Sequence, residues 1–446
     1  MKIIVAGAGE VGVHLAKLLA NEAQDIILID LDKKRLKYAE SHTDVLIYKG
    51  DAASVQVLED AGIKEADLLI AATDSETTNL TITILGKRLG AKKTIARIAN
   101  TELIQNYERL KFDTLGIDSL ISPEKLAVDE IEFLVKQSAF TDAFQFEKGK
   151  LNLIGIHLGD NAPIREKTIR EAANLNPNLN FMAVALHRDG ETIIPRGDTL
   201  IKKGDDCYFI AQKEGIQPVL NLTGNKSVSF KNVMILGGSK IGLKTAKALS
   251  KDYKVKLVEQ NKDKAFELAD QLSNVLVING DCRDVELLEE ENIEQMGVFI
   301  AVTGNSETNI MSCLVAKAHG VPKTIALVEN MEYIHLSKTV GIDVFINKKI
   351  IAASSIFQYV RKGNVISSTM LRGLNAEIYD YEVMPGSKIT KKSICGLNFP
   401  KSAVIGGAVR NGKTLITMGD FKAQPHDKLI VFCLPGSVKK VEAFFK

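Results

Sequence analysis

Gly7-Ala8-Gly9-Glu10-Val11-Gly12 has the spacing that lets a main chain hold phosphate. Gly7 permits a tight turn. Gly9 has no Cβ to keep a pyrophosphate off the backbone, and Gly12 permits close packing of a helix on a strand. Phosphate oxygens then meet unpaired N–H groups at the positive end of a helix dipole. Asp30 follows Gly12 by eighteen residues, where an acid is expected to accept hydrogen bonds from ribose hydroxyls.

Other residues extend this chemistry. Asp51, in Lys49-Gly50-Asp51, either accepts a hydrogen bond from an adenine amino group or caps the helix that follows Ser54. Thr73 and Asp74, with Asn79 further on, either contact a phosphate or the distal ribose or supply capping at the next helix. Arg97 is a charge inside the apolar run Ala96-Arg97-Ile98, so it must face a carboxylate or a bound anion.

Positioning these side chains requires strands that end on one rim. Apolar runs at Ile3–Ala6, Ile26–Ile29, Val45–Tyr48, Leu68–Ala72, Thr94–Ile98 and Ser119–Ile121 read as strands. Helical patterning separates them, as at Ser54–Ala61, Glu76–Leu89 and Pro123–Val135. Ser122-Pro123 fits a cap followed by proline in the first helical position. Such alternation predicts an α/β fold, a doubly wound Rossmann-like parallel sheet that binds ligands beyond the carboxyl ends of its strands. Gly7–Gly12, Asp30, Asp51 and Thr73 each follow a strand and so share that rim.

From about Phe144 the texture becomes β-rich. Runs at Leu151–Ile156, Phe181–His187, Thr192–Pro195 and Asp206–Ile210 are joined by the turn signals Arg188-Asp189-Gly190, Gly197-Asp198 and Gly204-Asp205. Gly215–Ser229, with Pro218 and Gly224, reads as a linker. Then the pattern restarts. Gly237-Gly238-Ser239-Lys240-Ile241-Gly242 answers the first glycine turn, and Glu259 supplies an acid after a second strand. Gly280-Asp281, Thr303 with Asn309, and Thr324-Ile325-Ala326 repeat Gly50-Asp51, Thr73 with Asn79, and Thr94-Ile95-Ala96 at a constant offset. Arg410-Asn411-Gly412 and Gly419-Asp420 repeat the β-rich turns. The chain is thus a tandem duplication. Its expected domains are 1–140 and 226–365, Rossmann-like, and 141–225 and 366–446, small and β-rich α+β.

The halves are chemically unequal. Ser239 stands for Gly9, Lys240 for Glu10, Gly304 for Asp74 and Leu327 for Arg97. The expectation is a better-defined nucleotide site in the first half and an altered one, keeping Glu259 and Asp281, in the second.

Bulk properties narrow the function. A net charge of +2 over 446 residues gives no basic field for nucleic acid. No apolar run reaches the roughly 18 residues of a membrane span, and the first strand begins too early to leave room for a secretory leader. Five scattered cysteines without a C-x-x-C pair suit a reducing compartment and indicate neither a disulfide framework nor a metal site.

The duplicated layout resembles the regulator-of-potassium-conductance (RCK) family, in the tandem TrkA-N plus TrkA-C arrangement of Trk-type potassium uptake regulators. The resemblance spans essentially the whole chain. It is carried by Gly7–Gly12, Gly50-Asp51, Ala72-Thr73-Asp74 with Asn79, Ala96-Arg97, and the second-half series from Gly237. It implies a cytoplasmic subunit, peripheral on the inner face of the membrane, that binds NAD or NADH and responds to ATP and ADP. It further implies a potassium-translocating partner of the TrkH/TrkG type and a homo-oligomer, a tetramer. In that resemblance Gly7, Gly9 and Gly12 cradle phosphates, Asp30 holds the adenosine ribose, Asp51 lies near the adenine, and Thr73, Asp74 and Arg97 line the rest of the cleft. An acid on the ribose disfavours the 2′-phosphate of NADP. Ser239 and Leu327 depart from the pattern.

The rival reading is an NAD-dependent dehydrogenase. Hydride transfer usually needs a proton donor facing the nicotinamide. The seven histidines (His14, His42, His157, His187, His319, His335 and His426) form no evident constellation. Two nucleotide domains, each followed by a small module, suit a switch better than a catalyst.

Overall fold

The computed structural model describes residues 1–20, 25–136, 140, 142–146, 149–176, 178–225, 230–330, 333, 341–360, 365–370 and 376–446. His335 and the last four residues of the expected linker, 226–229, lie outside the described residues.

The first sheet contains β1 (Lys2–Ala6), β2 (Asp25–Asp30), β3 (Leu46–Lys49), β4 (Leu68–Ala71), β5 (Lys93–Arg97) and β6 (Ser119–Ile121). Their order is β3-β2-β1-β4-β5-β6 and every pairing is parallel. The order reverses between β1 and β4, which opens a crevice beyond their carboxyl ends. Ile3, Ile4, Val5 and Ala6 are all buried, as a central parallel strand covered on both faces requires. Ile3, Val5, Leu28 and Leu68 face one core with Leu15 and Leu19, while Ile4, Ala6, Ile29 and Leu69 face another with Leu58 and Ile82. The Glu76–Leu89 helix is capped by Ser75, whose hydroxyl accepts from the Thr78 N–H, and it ends at Gly90 with positive φ.

The second parallel sheet repeats the first. Its strands are β12 (Asn232–Leu236), β13 (Lys254–Glu259), β14 (Val275–Asn279), β15 (Val298–Ala301), β16 (Lys323–Leu327) and β17 (Val344–Ile346), ordered β14-β13-β12-β15-β16-β17. The architecture is therefore α/β, with two Rossmann-like sheets and two antiparallel ones.

Among the described residues each antiparallel sheet has five strands. One holds β7 (Asp142–Phe146), β8 (Leu151–His157), β9 (Phe181–Arg188), β10 (Glu191–Ile193) and β11 (Asp206–Gln212). The other holds β18 (Val365–Met370), β19 (Glu377–Glu382), β20 (Ala403–Arg410), β21 (Lys413–Ile416) and β22 (Lys428–Cys433). Leu151, Val184 and Ile210 share one core with Ile378, Val404 and Phe432. A Cβ on Gly406 would lie 2.7 Å from Val184 and 3.0 Å from Ile210, so a glycine permits this sheet-to-sheet approach. Asp189 and Gly190 both have positive φ, the backbone of a tight two-residue hairpin.

Two local expectations change. The segment read as a linker contains the helix Ile216–Leu222, with Val219 and Leu220 buried. Pro218 falls in its first turn, where a missing N–H costs no helical bond. Strand β7 was not expected.

The chain divides into two compact units. One contains Met1–Asp129 together with the helix Lys348–Val360. Ala353 and Ile356 of that helix lie in the same core as Leu15 and Leu19. The other unit contains both antiparallel sheets and the second parallel sheet.

Candidate functional site

The first glycine turn is built so that no side chain fits where the chain folds back. Gly7 has φ +108°, and a Cβ there would meet the backbone of Ala72 and Thr73 at 2.8 Å. A Cβ on Gly12 would lie 1.8 Å from the Gly7 carbonyl oxygen. Gly9 is different. Its Cβ would meet only Arg35 Nη1 and Asp74 Oδ1, both at 3.8 Å, so the space above it is open. The Glu10–Ala20 helix starts immediately afterwards, and Gly9 has no side chain with which to cap it. Its first N–H groups are therefore suited to an anion, which is the fit an adenine nucleotide requires. Ala8 and Val11 are buried and anchor the turn to the core.

Asp30 closes β2 beside this turn. Its Oδ2 accepts from the Ala8 N–H at 2.6 Å and its Oδ1 from the Asp32 N–H at 2.7 Å. Each carboxylate oxygen keeps a second lone-pair direction, so a ribose diol can still donate to it. Asp51 is exposed. Its side chain accepts from the Ala53 N–H at 2.9 Å and its carbonyl from the Ser54 N–H at 2.9 Å, a turn leading into the Val55–Asp60 helix.

Thr73 is turned inward. Its hydroxyl donates to Asn79 Oδ1 at 2.6 Å, and its N–H reaches the same oxygen at 2.8 Å. Asn79 is buried and its Nδ2 donates to the carbonyls of Thr73 and Arg97. Asn79 thus ties the ends of β4 and β5 together and sets the rim's shape. Asp74 is exposed and lies 3.2 Å from Arg35 and 3.9 Å from Arg97. Arg97, largely buried, also reaches Glu124 at 3.6 Å, so carboxylates face it from two elements. Glu10 pairs with Lys349 at 3.0 Å. His14, one turn along the same helix, has its pKa pushed down to about 4 by burial and by the like charges of Lys349 and Lys17.

The second half reproduces the frame. Gly237 has φ +97°, and a Cβ on Gly242 would lie 2.0 Å from the Gly237 carbonyl oxygen. Glu259 accepts from the Gly238 N–H at 2.9 Å and from the Asn261 N–H at 2.9 Å, as Asp30 does from Ala8 and Asp32. Thr303, Asn309 and the Leu327 carbonyl repeat the Thr73–Asn79–Arg97 fastener.

The chemistry on that frame differs. Ser239 accepts from the Gly242 N–H at 3.2 Å and donates to the Val302 carbonyl at 2.7 Å, so this helix caps itself. Lys264 lies 3.1 Å from Glu259. Burial raises the Glu259 pKa, but the Asn261 N–H, Lys264 and the Gly238 N–H together hold it below the usual carboxylate value. Arg283 bonds Asp281 at 2.7 Å and holds its carboxyl low. Glu259, Lys264, Arg283, Ser239, Thr303 and Gly304 line a cavity of about 440 Å³.

The cations Arg35, Lys264, Arg283 and Lys349 and the acid Glu124 were not singled out from sequence. Arg35 and Lys264 carry a usable signal, each standing five residues after the strand-ending acid. Among the described residues no His, Cys, Asp and Glu group is arranged to hold a metal ion, and no helix is long and apolar enough to cross a membrane.

The family model of the TrkA-N domain matches residues 3–123 and again 233–348, and that of the TrkA-C domain matches 153–224. The chain is 32% identical to the Trk system potassium uptake protein TrkA of Vibrio alginolyticus, covering 100% of this chain and 99% of that protein. It is 31% identical to the protein of the same name from Haemophilus influenzae, covering 100% and 99%. Among solved structures, the GsuK RCK domain aligns with TM-score 0.63 and 14% identity, over 100% of this chain and 94% of that one. The GsuK channel bound to NAD aligns with TM-score 0.65 and 15% identity, over 100% and 78%.

Proposed function

Because this chain belongs to the family of the Trk system potassium uptake protein TrkA, we propose that it is the nucleotide-sensing regulatory subunit of a Trk-type potassium uptake system. It binds NAD or NADH, with ATP and ADP as further ligands, and gates a membrane subunit of the TrkH/TrkG type. The observation that carries this reading is the open, uncapped glycine turn beside the Asp30 carboxylate. The GsuK channel, which shares the fold, was solved bound to NAD and also to ADP.

In this reading each residue has a defined task. The N–H groups at the start of the Glu10–Ala20 helix hold phosphate oxygens. Asp30 accepts from the ribose hydroxyls, and Asp51 faces the adenine. Asp74, Arg35 and Arg97 form the charged wall opposite Asp30. A bound nucleotide supplies charge and shape that differ between NAD and NADH, or ATP and ADP. It shifts the gate only by its differential affinity for the two arrangements of the protein. The protein acts as a peripheral cytoplasmic homo-oligomer, a tetramer, with domains at 1–140, 141–225, 226–365 and 366–446. A dehydrogenase is disfavoured because the titratable groups brought to the first rim among the described residues are arginines and carboxylates, the latter held by backbone N–H groups or by arginine, a poor proton donor set.

The test is potassium uptake in cells lacking this chain, rescued with the natural protein or with Asp30→Ala, alongside NADH, ATP and ADP titrations of the purified proteins. Rescue by the natural protein alone, with the variant folded and unable to bind, is the expected result. Regulation that survives without binding refutes nucleotide gating. Uptake that never depends on the chain refutes the potassium role.

A further inference from the structure

The two nucleotide clefts differ in how their charges are paired, and the difference is ordered. In the first half Arg35 reaches across the rim to Asp74. Among the described residues Asp30 then receives only the N–H groups of Ala8 and Asp32. In the second half Gly304 stands where Asp74 does, so the equivalent cation, Lys264, turns onto Glu259 instead. Arg283 stands where the first half has Ala53 and is among the residues that line the cavity. At the positions the two halves share, the first turn and rim carry five acids and two cations (Glu10, Asp30, Asp32, Asp51 and Asp74 against Arg35 and Arg97), with Lys349 on Glu10 and Glu124 on Arg97 besides. Their counterparts in the second half are two acids and three cations, Glu259 and Asp281 against Lys240, Lys264 and Arg283.

An acid at this position rejects a phosphorylated ribose by charge, whereas a nearby arginine accommodates one. Lys264 cancels the acid's charge. Arg283 bonds Asp281 through Nε and Nη2 and brings the rest of its guanidinium beside the strand ends that read adenosine. Ser239 meanwhile occupies the Gly242 N–H, so the helix terminus has less to offer a bridging pyrophosphate, and more of the binding must come from the adenosine end.

We propose that the second-half cavity selects adenine dinucleotides phosphorylated on the adenosine ribose, the NADP(H) class, over NAD(H), with Lys264 and Arg283 as the specificity-determining residues. This rests on the reading that both glycine-turn clefts bind adenine nucleotides. The two halves then sense different dinucleotides.

The test is calorimetric titration of the full chain with NADPH and with NADH, in the natural protein and in Asp30→Ala, Arg283→Ala and Gly304→Asp. A Cβ at Gly304 meets nothing within 4 Å, so the substitution begins in open space and restores the residue that partners the cation in the first half. NADPH is expected to bind in a manner unaffected by Asp30→Ala. Arg283→Ala should weaken it roughly tenfold or more, the worth of one charge-assisted hydrogen bond. Gly304→Asp should draw Lys264 away and shift the preference toward NADH. NADPH binding no tighter than NADH at the Asp30-independent site overturns the proposal, as does a preference untouched by both second-half variants. NADH binding that depends on Asp30, with no NADPH binding, overturns this proposal alone. Absence of all nucleotide binding overturns the underlying reading as well.

Discussion

Substituting Gly9 and Gly12 separately by alanine divides ligand binding from folding. In Gly12→Ala the new methyl lies 1.8 Å from the Gly7 carbonyl oxygen. An unstrained C···O contact is about 3.3 Å, so helix and turn must part by roughly 1.5 Å. The turn cannot easily retreat, because Gly7 already lies against the Ala72–Thr73 backbone. Overpacking of this kind costs about 3 kcal/mol, at the upper end of what is usual for an added methyl group. In a unit of this size that lowers the melting temperature by roughly 10 °C. In Gly9→Ala the methyl has 3.8 Å of clearance from Arg35 and Asp74, and the stability loss stays under about 1 kcal/mol. That methyl does occupy the pyrophosphate's approach. Losing two backbone N–H bonds to a charged oxygen costs at least about 3 kcal/mol, roughly a hundredfold in affinity. Differential scanning calorimetry and NADH titration of both variants check this. A Gly9→Ala protein that binds NADH like the natural one shows that phosphate does not sit over Gly9. A Gly12→Ala protein with an unchanged melting temperature refutes the packing argument.

Two further outcomes follow from charge. His14 has a folded pKa of about 4, below its ordinary 6.5, because of burial and the like charges of Lys349 and Lys17, and its Nε2 has no partner among the described residues. Between these values the unfolded chain holds the proton more readily, so the stability contribution is complete above about pH 6.5 and lost as pH falls toward 4, roughly 3 kcal/mol in all. His14→Gln should flatten the stability profile over that window, measured by urea unfolding at several pH values, and an unchanged slope would contradict it. Asp205 is fully buried and held by Arg188 through two bonds of 2.7 Å. Arg188→Met leaves that carboxylate without its cation and should cost about 3–5 kcal/mol, whereas a loss under about 1 kcal/mol would mean that the pair is effectively solvated.

The frame of the molecule was readable because it repeats. Gly50-Asp51 and Gly280-Asp281 share a spacing in sequence and share a turn in space, each aspartate accepting from the N–H two residues on at 2.9 Å. Buried strands such as Ile3–Ala6 announce themselves as unbroken apolar runs. Pairing partners were not readable in the same way. Arg35 and Lys264 occupy equivalent places, yet each turns to a different acid, because what decides the matter is a residue some forty positions away, Asp74 or Gly304. Arg188 looked like part of a turn, and nothing local shows that it neutralises Asp205. The Ile216–Leu222 helix was masked by Pro218 and Gly224, residues that also mark loops. The Lys348–Val360 helix was not read from the sequence at all, and its apolar residues carry no address for the core they join.

That helix has a consequence for how the protein is made. The core around Leu15 and Leu19 contains Ala353 and Ile356, and more than two hundred residues separate the two parts of that unit along the chain. At about 5–20 residues per second, translation needs roughly 10–40 s to cross such an interval. Throughout that time the nascent first sheet has its helices but lacks the last layer of its core. The N-terminal part is translated first, yet its folding is completed only after most of the chain has left the ribosome.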